Sequence, residues 1–379
     1  MFVGIVNTPR DYAWGSSTAI PRLLGAAPTG EPQAEYWLGA HPGSPSRLAG
    51  REGTLQDLVP DGLPFLMKVL APVSSVSLQA HPSVAQAEAG FAREEAAGVA
   101  VDAPERNYKD RNSKPEMVYA LGEPFGALAG FRPVAETRAV LEPAAAHPAI
   151  RDLLGKLTGD ESLRDVFTWL LSGRPEVADL TAAVSAAAAT MQGPSWATVR
   201  GLAESYPGDP GIPISLLLHM LTLEPGEALY LPAGNIHAYQ YGVGIEVLAN
   251  SDNVIRGGLT PKHVDVAELL EILDFRPLPA PYLRPEVVSP GVSVFRPGIP
   301  DFMLTVVSPD AAGPGAHVSI AGGGPAIAFV VSGAVTLDGA ESSFTLEPGA
   351  AAYLRGEESV RVQGNGLTFL ATSGAERGW

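Results

Sequence analysis

The chain reads as a mainly β protein carrying an inserted block of helices, and three features predict this. Short apolar runs bounded by Gly, Pro, Ser and Asn recur over both ends of the 379-residue sequence, the texture of strands joined by tight turns. Residues 134–210 switch to Ala-, Leu- and Val-rich stretches at three- and four-residue spacings, the period of amphipathic helices. Finally, TLEPGEALYL at 222–231 recurs almost unchanged as TLEPGAAAYL at 345–354. Pro-Gly between two strands is ordinary turn chemistry, but the length of the match favours two related β-domains of sandwich or jelly-roll type.

Taken in order, FVGIV, AEYWLGA, PFLMKVLAP, SSVSLQAH and EMVYAL read as strands of a first β region over 1–133. PSVAQAEAGFAREEAAG interrupts them as a helix, since Ala, Glu and Gln are strong helix formers. Five helices follow over 134–210: VAETRAVLEP, PAIRDLLGKL, ESLRDVFTWLLSG, PEVADLTAAVSAAAATM and SWATVRGLAESYP, with Pro and Gly marking their ends. Strands return over 211–280 as ISLLLHMLTL, EALYLPAGNIHAYQYG and GIEVLAN, before a helix VDVAELLEIL that Pro261 is placed to open. Residues 281–379 are again β-rich: VSVFRP, FMLTVVSP, HVSIAG, AIAFVVSGAVTLDG, SFTLEPGAAAYLRG, VRVQG and LTFLATS. The repeat sets Val360 opposite His237, so the second copy lacks the histidine and is expected to be structural.

Composition excludes several classes of function. The net charge is −16, and no long Lys/Arg block offsets it, which argues against general nucleic-acid binding. No apolar run is long enough to cross a bilayer, and the N-terminus shows no basic region ahead of a hydrophobic stretch, so neither a membrane span nor a secretory leader is expected. There are no cysteines, which removes disulfides, thiolate ligands and Cys nucleophiles. The cytoplasm and a monomeric state are the corresponding expectations. Positive charge gathers once, where Arg106, Lys109, Arg111 and Lys114 fall within RNYKDRNSKPE. Such a cluster is either a solvated loop or an anion site.

The chemistry concentrates in three motifs. Gln79 and His81 in SLQAHPS stand two apart on a strand and leave the same face. Glu116 in NSKPEMVYAL and His237 in LPAGNIHAY also lie in extended segments. Two imidazoles, a carboxylate and an amide oxygen make a shell for a divalent metal, zinc first, with room left for water or substrate. Such an ion can polarise a carbonyl or generate hydroxide, so the ligands alone do not choose the reaction. Arg256, beside Gly257 and Gly258, is a fixed positive charge on a segment that permits turns and the close approach of a ligand. Asp252 is either a proton carrier or the ion-pair partner of Arg256. Lys114, two before Glu116, either transfers protons or holds an anion. Tyr239, two beyond His237, points to the same pocket or packs as an ordinary aromatic.

Several motifs in one order resemble the type I mannose-6-phosphate isomerases: DYAWG, AEYWLGAHPGS, PFLMKVL, SLQAHP, RNYKDRNSKPEMVYAL, LPAGNIHAY and ANSDNVIRGGLTPKHVD. The resemblance implies two cupin-like jelly-roll β-domains plus an inserted helical domain. It also implies one zinc ion per chain on Gln79, His81, Glu116 and His237, and a sugar phosphate as substrate. Arg256 falls at the family's catalytic arginine, and Lys114 and Asp252 fall where it has groups for proton transfer or substrate binding. Trp14, Glu35, Lys68, Tyr239 and Glu246 lie in matching motifs as substrate-binding residues. The activity so implied interconverts mannose 6-phosphate and fructose 6-phosphate through a cis-enediol. The alternatives are a degenerate cupin that binds a sugar phosphate without turnover and a metal-dependent oxygenase. The amide ligand and the nearby anion-binding groups favour the isomerase.

Overall fold

The computed structural model describes residues 2–313, 317–320, 324–340, 342–356 and 359–374. It is mainly β, with three antiparallel sheets and the helices gathered largely between residues 134 and 215. A nine-stranded sheet carries the expected metal-site motifs, and an eight-stranded sheet packs against it. A four-stranded sheet closes the far side of the eight-stranded one.

The two-residue period of the strands sorts each motif between two environments. Tyr36, Leu38, Phe65, Met67, Val69, Met117, Tyr119, Ile245 and Val247 face the core between the two large sheets, meeting Phe295, Leu304, Phe329, Tyr353 and Phe369. Tyr119 sits edge-on to Phe295 and Phe369 at 5.5 and 5.0 Å between centroids. Burial of each such large side chain stabilises by about 1.5–3 kcal/mol, so this shared core fixes the sheets against each other. The alternate residues, Glu35, Trp37, Lys68, Glu116 and Glu246, must then project from the opposite face of the nine-stranded sheet. Register reinforces this: Trp37 pairs with Lys68, Lys68 with Glu246 and Glu246 with Val118.

The expected helices form at Val84–Ala96, Val134–Leu141, Pro148–Lys156, Leu163–Leu170, Pro175–Ala188 and Pro194–Ser205. They pack on Leu78, Leu128, Phe131 and Ile255 from the back of the nine-stranded sheet. Four expectations need correction. The strand expected from Ile214 begins only at Leu218, because Gly211–Ser215 continues the helical block as one more turn. HAYQYG and GIEVLAN form one strand, His237–Ala249, in which Gly242 (φ 108°) takes up the irregularity. The helix after LTPKH starts at Val266 rather than at Pro261, since Asp265 caps it by accepting from the Glu268 N–H. Phe2–Val6, read with the first β region, pairs with Ala351–Leu354 and so lies in the eight-stranded sheet.

The two copies of TLEPG occupy matching positions. Leu231 of the first pairs with Glu116, and Leu354 of the second pairs with Ala326. His237 pairs with Gln79, and Val360 pairs with Ile320. Register therefore sets Ile320, Ala326 and Val360 where the first copy has Gln79, Glu116 and His237. All three are buried in an apolar core. Residue 322, which would correspond to His81, lies outside the described residues. Among the described residues, no helix is long and apolar enough to cross a membrane.

Candidate metal centre and active site

Three strands that are distant in sequence bring the donors together. His81 follows the Leu78–Ala80 strand, Glu116 opens Glu116–Phe131, and His237 opens His237–Ala249. Glu116 and His237 are not cross-strand partners, since their register mates are Leu248 and Ala129. They meet because the sheet curls and their side chains converge from its concave face. Glu116 Oε1 lies 3.0 Å from His237 Nε2, and Oε2 lies 3.2 Å from His81 Nε2. One donor atom from each residue falls within 4.8 Å of the others, and all three residues are buried.

Neighbouring carbonyls orient both imidazoles. His81 Nδ1 donates to the Asn253 carbonyl at 2.7 Å, and His237 Nδ1 to the Asn235 carbonyl at 3.0 Å. Each ring therefore presents Nε2, with its lone pair, to the centre, the arrangement that metal-bound histidines adopt. The Gln79 amide reaches His237 Nε2 at 3.3 Å, and a half-turn of the amide brings its oxygen to that place. Two imidazole nitrogens, a carboxylate and an amide oxygen suit a zinc ion without thiolates, and the residues present fit that group.

The electrostatics agree. Burial, then the charge of Lys114, pushes the His81 imidazole down to about 4, so the ring is a neutral ligand at neutral pH. Burial opposes ionisation of Glu116, but Lys114 and then His237 outweigh it and hold the carboxyl well below its usual range. Lys114 Nζ lies 2.5 Å from Glu116 Oε2 and 3.3 Å from His81 Nε2. The Tyr239 hydroxyl donates to Glu116 Oε1 at 3.0 Å, and burial followed by the charge of Glu116 raises its pKa well above the ordinary tyrosine value.

In front of the donors opens a cavity of about 770 Å³ lined by Trp14, Glu35, Lys68, Gln79, Lys114, Tyr239, Glu246, Asp252 and Arg256. Lys68 Nζ sits 3.1 Å from Glu246 and 3.8 Å from Glu35, and 4.8 Å above the Trp37 ring. Burial opposes its charge, but Glu246, Glu35 and Glu116 together raise its pKa above the ordinary lysine value. Arg256 pairs in register with Gln79, which pairs with His237. Its guanidinium thus stands one strand away from the donors, and no carboxylate pairs with it among the described residues.

Three local readings are corrected. Asp252 pairs with His41, at 3.3 Å, and not with Arg256. The glycines beside Arg256 admit protein and not a ligand: a Cβ on Gly257 would meet Leu269 at 2.9 Å, and one on Gly258 would meet Asp209 at 3.0 Å. Of the four clustered cations only Lys109 and Lys114 line the cavity. Arg106 is buried against Glu94, Glu95 and backbone carbonyls, and Arg111 lies over the Phe91 ring. Sequence reasoning also missed Lys262, His41 and Tyr206, all of which line the cavity. Lys262 and His41 lay inside quoted motifs, but nothing in their spacing set them apart.

Comparison with known proteins agrees with this architecture. A family profile described as phosphomannose isomerase type I, catalytic domain, matches residues 3–134. The chain is 39% identical to the mannose-6-phosphate isomerase of Escherichia coli over 96% of this chain and 97% of that one. It is 32% identical to the Bos taurus mannose-6-phosphate isomerase over 93% of each. A crystal structure of mannose 6-phosphate isomerase bound with zinc and yttrium superposes with a TM-score of 0.90 at 38% identity, covering 98% of this chain and 99% of that chain. Zinc is the metal carried by such structural neighbours, and the buried His81, Glu116 and His237 are a fitting place for one ion. By identity over nearly its whole length, the chain belongs to the type I mannose-6-phosphate isomerase family.

Proposed function

We propose that this protein interconverts D-mannose 6-phosphate and D-fructose 6-phosphate through a cis-enediol. The observation that carries the proposal is the convergence of a metal-donor set with a group of cations in one cavity. Gln79, His81, Glu116 and His237 would hold zinc, which supplies Lewis acidity toward the oxygens of the bound sugar. Lys109, Arg256 and Lys262 gather at the same cavity. Burial, then repulsion from Arg256 and Lys109, lowers the Lys262 pKa, and a phosphate between Lys262 and Lys109 would relieve that repulsion. In a chain of net charge −16, this local excess marks the site of an anion.

The remaining residues divide the reaction between them. Once the ring has opened, a base breaks the C2–H bond of the aldose, the electrons form the C1–C2 double bond of the enediol, and the proton returns to C1. Asp252, held as a carboxylate by His41, is a weak base. The His81 nitrogens face the Asn253 carbonyl and the donor centre. Lys68 is fixed in its charged form by three carboxylates. Lys114 Nζ lies within 3.3 Å of both Glu116 and His81, so a zinc ion held there would repel its ammonium charge and free Lys114 as the cavity amine that carries the proton. Arg256, on the strand beside Gln79, stabilises negative charge on the enediol oxygens.

A degenerate cupin that merely binds a sugar phosphate would need no proton carrier in the cavity. Turnover in deuterated water followed by NMR tests the reading. Deuterium appearing at C1 of the product ketose, even in a fraction of turnovers, is expected from an enediol. Turnover with no deuterium at any ratio of substrate to enzyme would indicate hydride transfer and contradict it.

A further inference from the structure

Beside the Lys68 wall of the cavity, His41 sits with only 7% of its surface exposed, its ring edge-on to Trp37 at 5.0 Å. The Gly43 N–H donates to His41 Nδ1 at 3.0 Å. A Cβ on Gly43 would lie 3.1 Å from that nitrogen, so a residue without a side chain lets the backbone approach. With Nδ1 occupied as an acceptor, the ring proton lies on Nε2, which faces Asp252 Oδ1 at 3.3 Å.

Asp252 is anchored from its other side. Its N–H donates to Asp110 Oδ2 at 2.8 Å, and the flanking Ser251 and Asn253 also bond Asp110. Its carboxylate borders the cavity and is about half exposed, at 49%. A carboxylate that accepts one fixed N–H and keeps its other lone pairs open toward the cavity is set up to receive a hydroxyl.

We propose that His41 is a positioning residue that holds the Asp252 carboxylate aimed into the cavity as an acceptor for a sugar hydroxyl. This rests on the sugar-phosphate reading above. The charged groups that face Asp252 are His41 from the loop after Glu35–Leu38, Lys109 from the loop before Glu116, and Lys68 from Phe65–Leu70. Asp110 meets its backbone. The His41 hydrogen bond is the largest influence on Asp252 and lowers its pKa, ahead of burial, which raises it. Removing the donor therefore raises that pKa, and the carboxylate is lost at a higher pH as pH falls.

The test compares His41→Leu, His41→Gln, Asp252→Asn and the His41→Leu/Asp252→Asn double variant, each as the zinc-loaded full chain, with mannose 6-phosphate as substrate. His41→Leu should keep its zinc, raise KM about tenfold, as expected for one lost charge-assisted hydrogen bond, and shift the acidic limb of kcat/KM to higher pH. His41→Gln, which retains an N–H donor, should recover most of both losses. The double variant should be no worse than Asp252→Asn alone. Impaired Asp252→Asn beside His41 variants with wild-type KM and pH profile would overturn the role of His41 while leaving the isomerase reading intact. Fully additive losses in the double variant would also overturn it. Wild-type KM in Asp252→Asn would remove the acceptor itself. Should His41→Leu fail to fold, His41→Phe, which keeps a ring against Trp37 and lacks the N–H, takes its place: a raised KM and a raised acidic limb with unchanged zinc are expected, and wild-type values contradict the proposal.

Discussion

Replacing Glu116 by Gln keeps the shape of the residue and removes its charge, which isolates what that charge does. In the folded chain Glu116 is fully buried and touches four groups: His81 at 3.2 Å, His237 at 3.0 Å, Lys114 at 2.5 Å and Tyr239 at 3.0 Å. Two consequences follow. An anionic ligand becomes a neutral one, so zinc affinity should fall by more than the 10–100-fold typical of losing a group that only supports a ligand. Lys114, itself buried, loses its carboxylate partner, and breaking a buried pair from one side costs about 3–5 kcal/mol. At about 2.1 cal/mol/K of unfolding entropy per residue, a 379-residue chain shifts by roughly 1.3 °C per kcal/mol, so the chelated variant should melt roughly 4–6 °C below the chelated wild type. Adding Lys114→Met removes the stranded charge, so the Glu116→Gln/Lys114→Met variant should recover most of that loss and none of the zinc. Metal content by mass spectrometry and melting by circular dichroism, both on chelated and zinc-loaded protein, read the two effects separately. Wild-type zinc affinity in Glu116→Gln would show that the Glu116 charge does not hold the ion, and a double variant no more stable than the single one would show that it does not balance Lys114.

Further substitutions probe the other parts of the site. Arg256→Lys keeps the charge and loses the planar fork, so kcat should fall about 10²–10³-fold with zinc content unchanged; a change confined to KM would assign Arg256 to the phosphate instead. Lys262→Met should raise KM for the phosphorylated sugar by about tenfold or more while kcat stays within a few-fold; an unchanged KM would remove Lys262 from phosphate binding. His237→Ala should bind no zinc yet give a cooperative melt, because the core between the large sheets does not include it; retained stoichiometric zinc would count against His237 as a ligand. Val360→His, made in the second copy, should gain no ion, since Ile320 pairs with it and Ala326 stands opposite Leu354 where Glu116 stands opposite Leu231, and neither supplies a donor. It should lower the melting temperature by burying an unpaired polar group at about 1–3 kcal/mol; a second zinc per chain would contradict this.

Much of this architecture was legible in the sequence because local chemistry and tertiary context agree. The strand alternation in EMVYAL and PFLMKVL already separated Met117, Tyr119, Met67 and Val69 from Glu116 and Lys68, and the structure keeps that separation. The donor pairs were legible because a spacing of two on a strand fixes a shared face. What stayed hidden depends on contacts remote in sequence. Nothing local shows that Phe2–Val6 crosses to the Ala351–Leu354 strand, or that the sheet curls enough to bring Glu116 to His237. The glycines at 257 and 258 signalled a close approach correctly, but only the fold reveals that Leu269 and Asp209 make it. His41 was invisible as a partner of Asp252 because 211 residues separate them. Its role depends on Gly43 having fixed the tautomer.

On the proposed function, isomerisation needs one zinc ion held in the cavity beside Lys114 and Arg256. The most direct test of that requirement is turnover of mannose 6-phosphate to fructose 6-phosphate by chelated protein, titrated with zinc while metal content is measured. The metal-free chain should show no turnover, and activity should rise linearly to a plateau at one zinc per chain. Full turnover by metal-free protein, or a plateau reached only at two ions per chain, would contradict the requirement.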